Sequence, residues 1–161
     1  MSSELRIYIA DDEAPARARL KELLSDIRGE IPSIVVGESA SGLEVIDRLP
    51  GSAAQVLLLD IQMPGMSGIE LARHLCALEN APAVIFVTAH DQFALKAFEV
   101  HAVDYLLKPF DDERFARALQ RAKTAVRERL MLFFDDEARL ESRVEGARYR
   151  VEIEIPYRGR A

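Results

Sequence analysis

The sequence predicts an α/β fold, a doubly wound domain on a five-stranded parallel sheet. Three observations point there. Short β-rich runs alternate with helical patterns through most of the chain. The third run, Gln55 to Asp60, is continuously apolar until its last residue, as in a central strand covered on both faces. Acidic, hydroxyl or lysine side chains follow four of the five runs. In doubly wound sheets ligands bind beyond the carboxyl ends of the strands.

The elements follow in order. Leu5 to Ala10 reads as a strand, and Ala14 to Ile27 as a helix with Pro15 in its first turn and Leu20, Leu23, Leu24 and Ile27 at helical spacing. Ser33 to Glu38 is the second strand. Gly42 to Leu49 is a helix closed by Pro50-Gly51. After the apolar third strand, Ser67 to Leu78 is helical and Ala83 to Thr88 is the fourth strand. Gln92 to Val100 is a short helix, and Ala102 to Leu107 is the fifth strand, ending at Lys108-Pro109. Asp111 to about Met131 forms a long amphipathic helix with Phe115, Ala118, Leu119, Ala122, Val126 and Leu130 facing inward. Right-handed crossovers leave few topologies.

The 161 residues are 49% hydrophobic and 30% charged, which fits one globular domain or one domain plus a fragment. The composition argues against wholesale disorder. The net charge of -6 disfavours unspecific nucleic-acid binding by the whole chain. The start, Met1-Ser2-Ser3-Glu4, lacks a signal-peptide pattern, and no apolar run approaches the length of a membrane span. A single cysteine, Cys76, cannot form an internal disulfide; it is expected as a small core residue on an apolar helix face. A reducing, cytoplasmic setting is expected.

The fold brings the residues after the strands to one end of the sheet. Asp11, Asp12 and Glu13 follow the first strand, Asp60 the third, Thr88 the fourth and Lys108 the fifth. One aspartate after a strand is usually a cap or turn residue. An acidic pair, an aspartate, a threonine and a Lys-Pro at four strand ends together describe a site. Clustered carboxylates stay ionised only if a cation offsets them. A hard divalent ion such as Mg2+ suits such ligands and accepts phosphate oxygens as well. Lys108 supplies a point charge for an anion, and the Thr88 hydroxyl can donate to one. A carboxylate is also a nucleophile toward phosphorus. Asp60, at the end of the most apolar strand, is best placed for that role, and Asp11 and Asp12 for holding the metal.

Four segments resemble the receiver domain of two-component response regulators. They are Ile9-Ala-Asp-Asp-Glu-Ala-Pro15, Leu58-Leu-Asp-Ile-Gln-Met-Pro-Gly-Met-Ser-Gly68, Val87-Thr-Ala-His90 and Val103-Asp-Tyr-Leu-Leu-Lys-Pro-Phe110, and their order and spacing match the family. Asp-Glu-Ala-Pro-Ala-Arg after the first strand, together with Phe93 to Tyr105, is most similar to receivers of the LytTR class, the LytR and AlgR type. The resemblance covers residues 4–131. It implies a flavodoxin-like sheet of strand order 2-1-3-4-5. It implies that Asp60 accepts a phosphoryl group from a sensor histidine kinase. Asp11, Asp12, Asp60 and the Gln62 main-chain carbonyl would hold Mg2+. Lys108 would contact the phosphate, while Thr88 and Tyr105 would switch on activation. His90 would influence access to the phosphate. The surface made by the helix from Gln92, the strand from Ala102 and the helix from Asp111 would pair receivers into a homodimer. The output would be control of transcription. Self-phosphorylation and dephosphorylation would be the only chemistry, so no turnover enzyme is expected.

Other classes fit less well. A flavin or nucleotide protein needs a Ser/Thr/Gly-rich phosphate turn after the first strand, where this chain has three acids. An aspartyl phosphohydrolase would carry its nucleophile after the first strand. An unphosphorylated interaction or dimerisation module with a vestigial site is the alternative reading, although all the site residues are present.

Residues 132–161 are expected as a linker and the possible start of a further domain. Tyr149 to Ile155 alternates like a half-buried strand. Thirty residues are too few for the DNA-binding domain that LytTR-class receivers precede, so specific DNA binding is expected only through a C-terminal domain absent or incomplete here. Either the chain stops inside the first strand of that domain, the favoured reading because Ile155 to Arg160 weakly resembles its opening, or a short extension pairs with another chain.

Overall fold

The computed structural model describes residues 4–149, and over 131–149 it describes the backbone alone. Its elements are β1 (Leu5–Ala10), α1 (Ala14–Asp26), β2 (Ser33–Ser39), α2 (Gly42–Ser52), β3 (Val56–Leu59), α3 (Gly68–Cys76), β4 (Ala83–Thr88), α4 (Ala94–Glu99), β5 (Asp104–Leu107) and α5 (Asp112–Tyr149). The strands form one parallel sheet in the order β2-β1-β3-β4-β5. This is the expected architecture, and the element order alternates strand and helix as the sequence pattern requires.

Burial follows the hydrophobic runs. All four residues of β3 and all six of β4 are buried. Such two-sided burial is what a central parallel strand needs, because helices cover both faces. Tyr8, Leu57, Leu59, Phe86, Leu71 and Leu75 belong to one apolar cluster, with Tyr105 and Phe93 packed against it. Phe115, Ala118, Leu119 and Ala122 of α5 are fully buried, as their spacing predicts.

Two helices begin with side-chain caps, reciprocal in α3. Ser67 accepts a hydrogen bond from the Glu70 amide at 3.2 Å, and Glu70 accepts one from the Ser67 amide at 3.0 Å. Ser41 and Glu44 cap α2 similarly, Glu44 accepting from Ala40 N. A cap of this kind contributes about 1 kcal/mol.

The structure departs from expectation chiefly at element ends. Helix α3 stops at Cys76 rather than Leu78, and β5 begins at Asp104 rather than Ala102. Pro50-Gly51 does not close α2; the helix continues to Ser52, and the reversal falls at Ala53, whose φ is 59°. The Ser52 hydroxyl donates to the Leu49 carbonyl at 2.6 Å and accepts from the Ala54 amide at 3.2 Å, so a serine satisfies the helix end where a glycine was expected to. Helix α4 is shorter than its pattern, because Phe93 precedes it and offers no side-chain cap. Cys76 is exposed rather than a core residue; it ends α3 one position past buried Leu75, and its thiol donates to the Arg73 carbonyl. Helix α5 runs on past Met131 to Tyr149.

By contact density the chain divides into two units, Met1–Lys123 and Thr124–Ala161. The first holds the whole sheet, α1–α4 and the beginning of α5. The described part of the second is the remainder of α5. Within it Val126 is half-buried and Leu130 is exposed, so the inward face expected to reach Leu130 is fully buried only as far as Ala122 in the first unit. The strand expected over 149–155 lies outside the described residues, except that Tyr149 is helical.

Candidate functional site

Parallel register sets the site. Ala10 pairs with Ser39 on one side and Leu59 on the other, so Asp11 and Asp60 leave the sheet together. The Asp60 amide donates to the Ala10 carbonyl at 2.9 Å, and the Asp11 amide to the Ser39 carbonyl at 3.1 Å. Thr88 pairs with Leu107, so Lys108 emerges beside it and donates its amide to the Thr88 carbonyl at 2.8 Å. Residues far apart in sequence are thereby adjacent in space.

Asp11, Asp12 and Asp60 each offer a carboxylate oxygen within 4.8 Å of the others. Asp11 and Asp60 are buried, and Asp12 is exposed. Asp11 accepts from the Glu13 amide at 2.9 Å on one oxygen and from Lys108 Nζ at 3.3 Å on the other. Asp60 accepts from the Gln62 amide at 3.4 Å. Burial pushes the Asp60 carboxyl above its ordinary range, and the Asp11 charge adds to the rise; Lys108 and the Gln62 and Ile61 amides oppose it without overcoming it. Lys108 pairs with Asp11 and acts on Asp60, one ammonium beside three carboxylates, so formal negative charge is in excess.

An open cleft of about 500 Å³ lies over the cluster. Asp12, Glu13, Asp60, Gln62, Met63, Pro64, Ala89, His90 and Lys108 line it. The Lys108-Pro109 peptide is cis. The β3–α3 connection closes the cleft from one side. Gly65 turns it with φ of 77°. Gly68 lies so close to β3 that a Cβ there would fall 2.2 Å from the Asp60 carbonyl oxygen. Its amide donates to the Ile61 carbonyl at 2.8 Å. Both glycines thus serve the backbone geometry of this connection.

The structure does not bring every expected residue into the cleft. Thr88 is fully buried and its hydroxyl accepts from the His90 amide at 3.3 Å. Tyr105 is half-buried beside Phe86 and donates its hydroxyl to the His90 carbonyl. Burial raises its phenol pKa, which keeps it a donor. The His90 main chain thus meets Thr88 through its N–H and Tyr105 through its carbonyl, on the two peptides that flank the residue. Gln62 lines the cleft with an exposed side chain, and its main-chain amide donates to Asp60.

Sequence reasoning missed two supporting groups. Arg17 of α1 donates from Nη1 to the Asp11 carbonyl at 2.8 Å and from Nε to Glu38 of β2 at 2.8 Å. Asp104, just before Tyr105, takes both guanidinium branches of Arg114 at 2.7 and 3.0 Å. Neither pair has a local signal, since 21 residues separate the first pair and ten the second. Only the strand–helix order, which lays α1 beside β2 and α5 beside β5, would have suggested looking.

This fold and this strand-end cluster define a signalling domain of the receiver type. Residues 7–120 match the response regulator receiver domain family, and the chain belongs to that family. It is 46% identical over 117 residues to a response regulatory protein of Yersinia pestis, covering 73% of this chain and 48% of that one. It is 41% identical over 119 residues to the sensory transduction protein LytT of Bacillus cereus, covering 74% and 47%. Among solved structures, the response regulatory domain of protein mrkE from Klebsiella pneumoniae superposes with a TM-score of 0.70 at 31% identity, over 77% of this chain and 99% of that one. The LytT match agrees with the LytTR-class resemblance. The chain spans about half the length of the curated relatives it matches.

Proposed function

We propose that this chain is the phosphoacceptor and switch of a response regulator, and that Asp60 receives the phosphoryl group from a sensor histidine kinase. One observation carries the reading. Asp60 is buried against Asp11, within reach of a second acidic partner, and opens on a cleft lined by Lys108. In the transfer, an Asp60 carboxylate oxygen attacks phosphorus and a P–O bond forms. The P–N bond of the donor phosphohistidine breaks, and the histidine nitrogen leaves with the electron pair. Phosphoryl transfer of this kind depends mainly on positioning and charge neutralisation. Lys108 supplies a cation at the cleft wall, and the Gln62 and Ile61 amides face Asp60.

The donor set fits Mg2+: three carboxylates, two of them buried, with negative charge that Lys108 leaves in excess. Asp11, Asp12, Asp60 and the Gln62 main-chain carbonyl would hold it. When bound it neutralises the carboxylates and the phosphoryl oxygens. Thr88 then turns its hydroxyl from the His90 amide toward the phosphoryl group. That shift favours the state in which Thr88 and Lys108 close on the phosphate. Tyr105, held on the carbonyl of the same residue, His90, transmits the change to α4 and β5. Leu95 and Phe98 of α4 and Leu107 of β5 are exposed, which supports pairing with a second copy on that face and, through it, control of transcription. Among the described residues no helix is long and apolar enough to cross a membrane, and the proposed setting is cytoplasmic.

The test is intact mass after incubation with a small-molecule phosphodonor, with and without Mg2+, on the wild type and on Asp60→Asn. One added phosphoryl group that requires both Mg2+ and Asp60 is expected. No addition to a folded, Mg2+-binding protein would leave an interaction module with a vestigial site.

A further inference from the structure

We propose that Arg17 is a positioning residue for the acidic cluster: by bridging the Asp11 main-chain carbonyl to Glu38 it fixes the Asp11–Asp12 peptide, and so the placing of Asp12, for a divalent cation. The inference rests on the reading of that cluster as a Mg2+ site. It concerns a residue outside the cleft lining, a full helical turn beyond Glu13.

The Asp11 backbone is held at both ends by the carboxyl terminus of β2. Its amide donates to the Ser39 carbonyl at 3.1 Å. Its carbonyl accepts from Arg17 Nη1 at 2.8 Å, and Arg17 Nε donates to Glu38, the residue before Ser39, at 2.8 Å. Lys21 takes the other Glu38 oxygen at 2.7 Å. The guanidinium thus closes a ring from β2 through α1 to the first turn after β1. The Asp11 carbonyl belongs to the peptide that leads into Asp12. Rotation of that peptide would swing the Asp12 carboxylate, which is exposed, away from Asp11 and Asp60. Asp11 itself is fixed independently by Glu13 and Lys108 through its side chain. Asp12 is therefore the ligand whose placing depends most on Arg17.

Geometry favours arginine here. A rigid planar fork can reach two acceptors at once, whereas a lysine ammonium is a single point charge on a flexible stem. The Arg17 side chain is 19% exposed, so its contacts are largely shielded from solvent. Groups that orient metal ligands from behind change metal affinity by roughly 10–100-fold when removed.

Charge and positioning predict opposite signs for one substitution. Arg17 is a cation near an acidic cluster, so removing it without any change in geometry would tighten cation binding. If Arg17 positions Asp12, removing it weakens binding. The experiment is calorimetric titration of the full chain with MgCl2, repeated with MnCl2, on wild type, Arg17→Ala, Arg17→Lys and Glu38→Gln. Thermal unfolding in EDTA checks that each variant is folded. Arg17→Ala is expected to lose about tenfold in Mg2+ affinity. Arg17→Lys, which keeps the charge, is expected to recover little of that loss. Glu38→Gln removes a distant anion but keeps an acceptor, so a smaller, few-fold loss is expected; it serves as the second variant should an Arg17 change unfold the chain. Unchanged or tighter binding by folded Arg17→Ala, with wild-type affinity in Arg17→Lys, would overturn the positioning role. A wild type that binds neither ion would overturn the Mg2+ reading itself, which is a distinct result because it appears before any substitution.

Discussion

Two aspartates with largely buried side chains, Asp60 and Asp104, lie in opposite electrostatic environments. Asp104 opens β5 and receives both branches of Arg114, the Tyr105 amide at 2.8 Å and a more distant Arg121 at 3.6 Å. Burial pushes its carboxyl up, but Arg114, the Tyr105 amide and Arg121 together outweigh burial and hold it below the ordinary range. Asp60 follows β3 and meets Asp11 in place of an arginine, and its carboxyl is held above that range. The first environment is complete within the chain and ties β5 to α5. The second sets one ammonium, Lys108, beside three carboxylates. Proteins place such uncompensated charge where a ligand will supply the difference.

The largest expected effect falls on the backbone that carries Asp60. Gly68→Ala would drive a Cβ to 2.2 Å from the Asp60 carbonyl and 2.8 Å from Ile61 Cα, both main-chain atoms. Chemical denaturation should show a loss of about 3 kcal/mol, and phosphoryl incorporation should fall with it. Retained stability would mean that the β3–α3 turn shifts freely.

Breaking the other environment comes next. Arg114→Ala leaves Asp104 with Arg121, so the cost should be about 2 kcal/mol rather than the full penalty of an unpaired buried charge, because Arg114 is itself about a third exposed and partly screened. The pH dependence has a definite sign. The Asp104 pKa is lowered in the fold, so its contribution is present above the ordinary carboxylate range of about 4 and is lost as pH falls through the lowered value. The stability gap between wild type and Asp104→Asn should therefore be constant from neutral pH to about pH 5 and shrink in more acidic solution. A gap that widened on acidification would contradict the pairing.

The smallest effect belongs to the surface. Arg19 pairs with Glu22 and Asp112, but its side chain is 54% exposed. Arg19→Ala should change stability by less than about 0.5 kcal/mol, measured in the same denaturation series.

The two environments were also unequally legible in the sequence. Hydrophobic period and strand-end residues are local signals, and they located every strand and the Asp11, Asp12, Asp60 and Lys108 cluster. Asp104 sat in the sequence within Val103-Asp-Tyr105, yet its partner lies on the next helix, and nothing local announces a pair formed by packing. Arg17 and Glu38 were hidden for the same reason. Helix ends were read least well. Pro50-Gly51 is a strong stop signal, but Ser52 and Ala53 satisfied the end of α2 two residues later. Cys76 was misplaced because it stands one position beyond the buried stripe of α3, a difference that a 3.6-residue period cannot resolve at a helix end.

The most direct measurement is thermal unfolding of wild type and Asp60→Asn, each in EDTA and in Mg2+. Excess negative charge at Asp60 predicts that Asp60→Asn is the more stable protein in EDTA. It also predicts that Mg2+ raises the wild-type midpoint and raises that of Asp60→Asn much less. A wild type indifferent to Mg2+ and no less stable than Asp60→Asn in EDTA would contradict it.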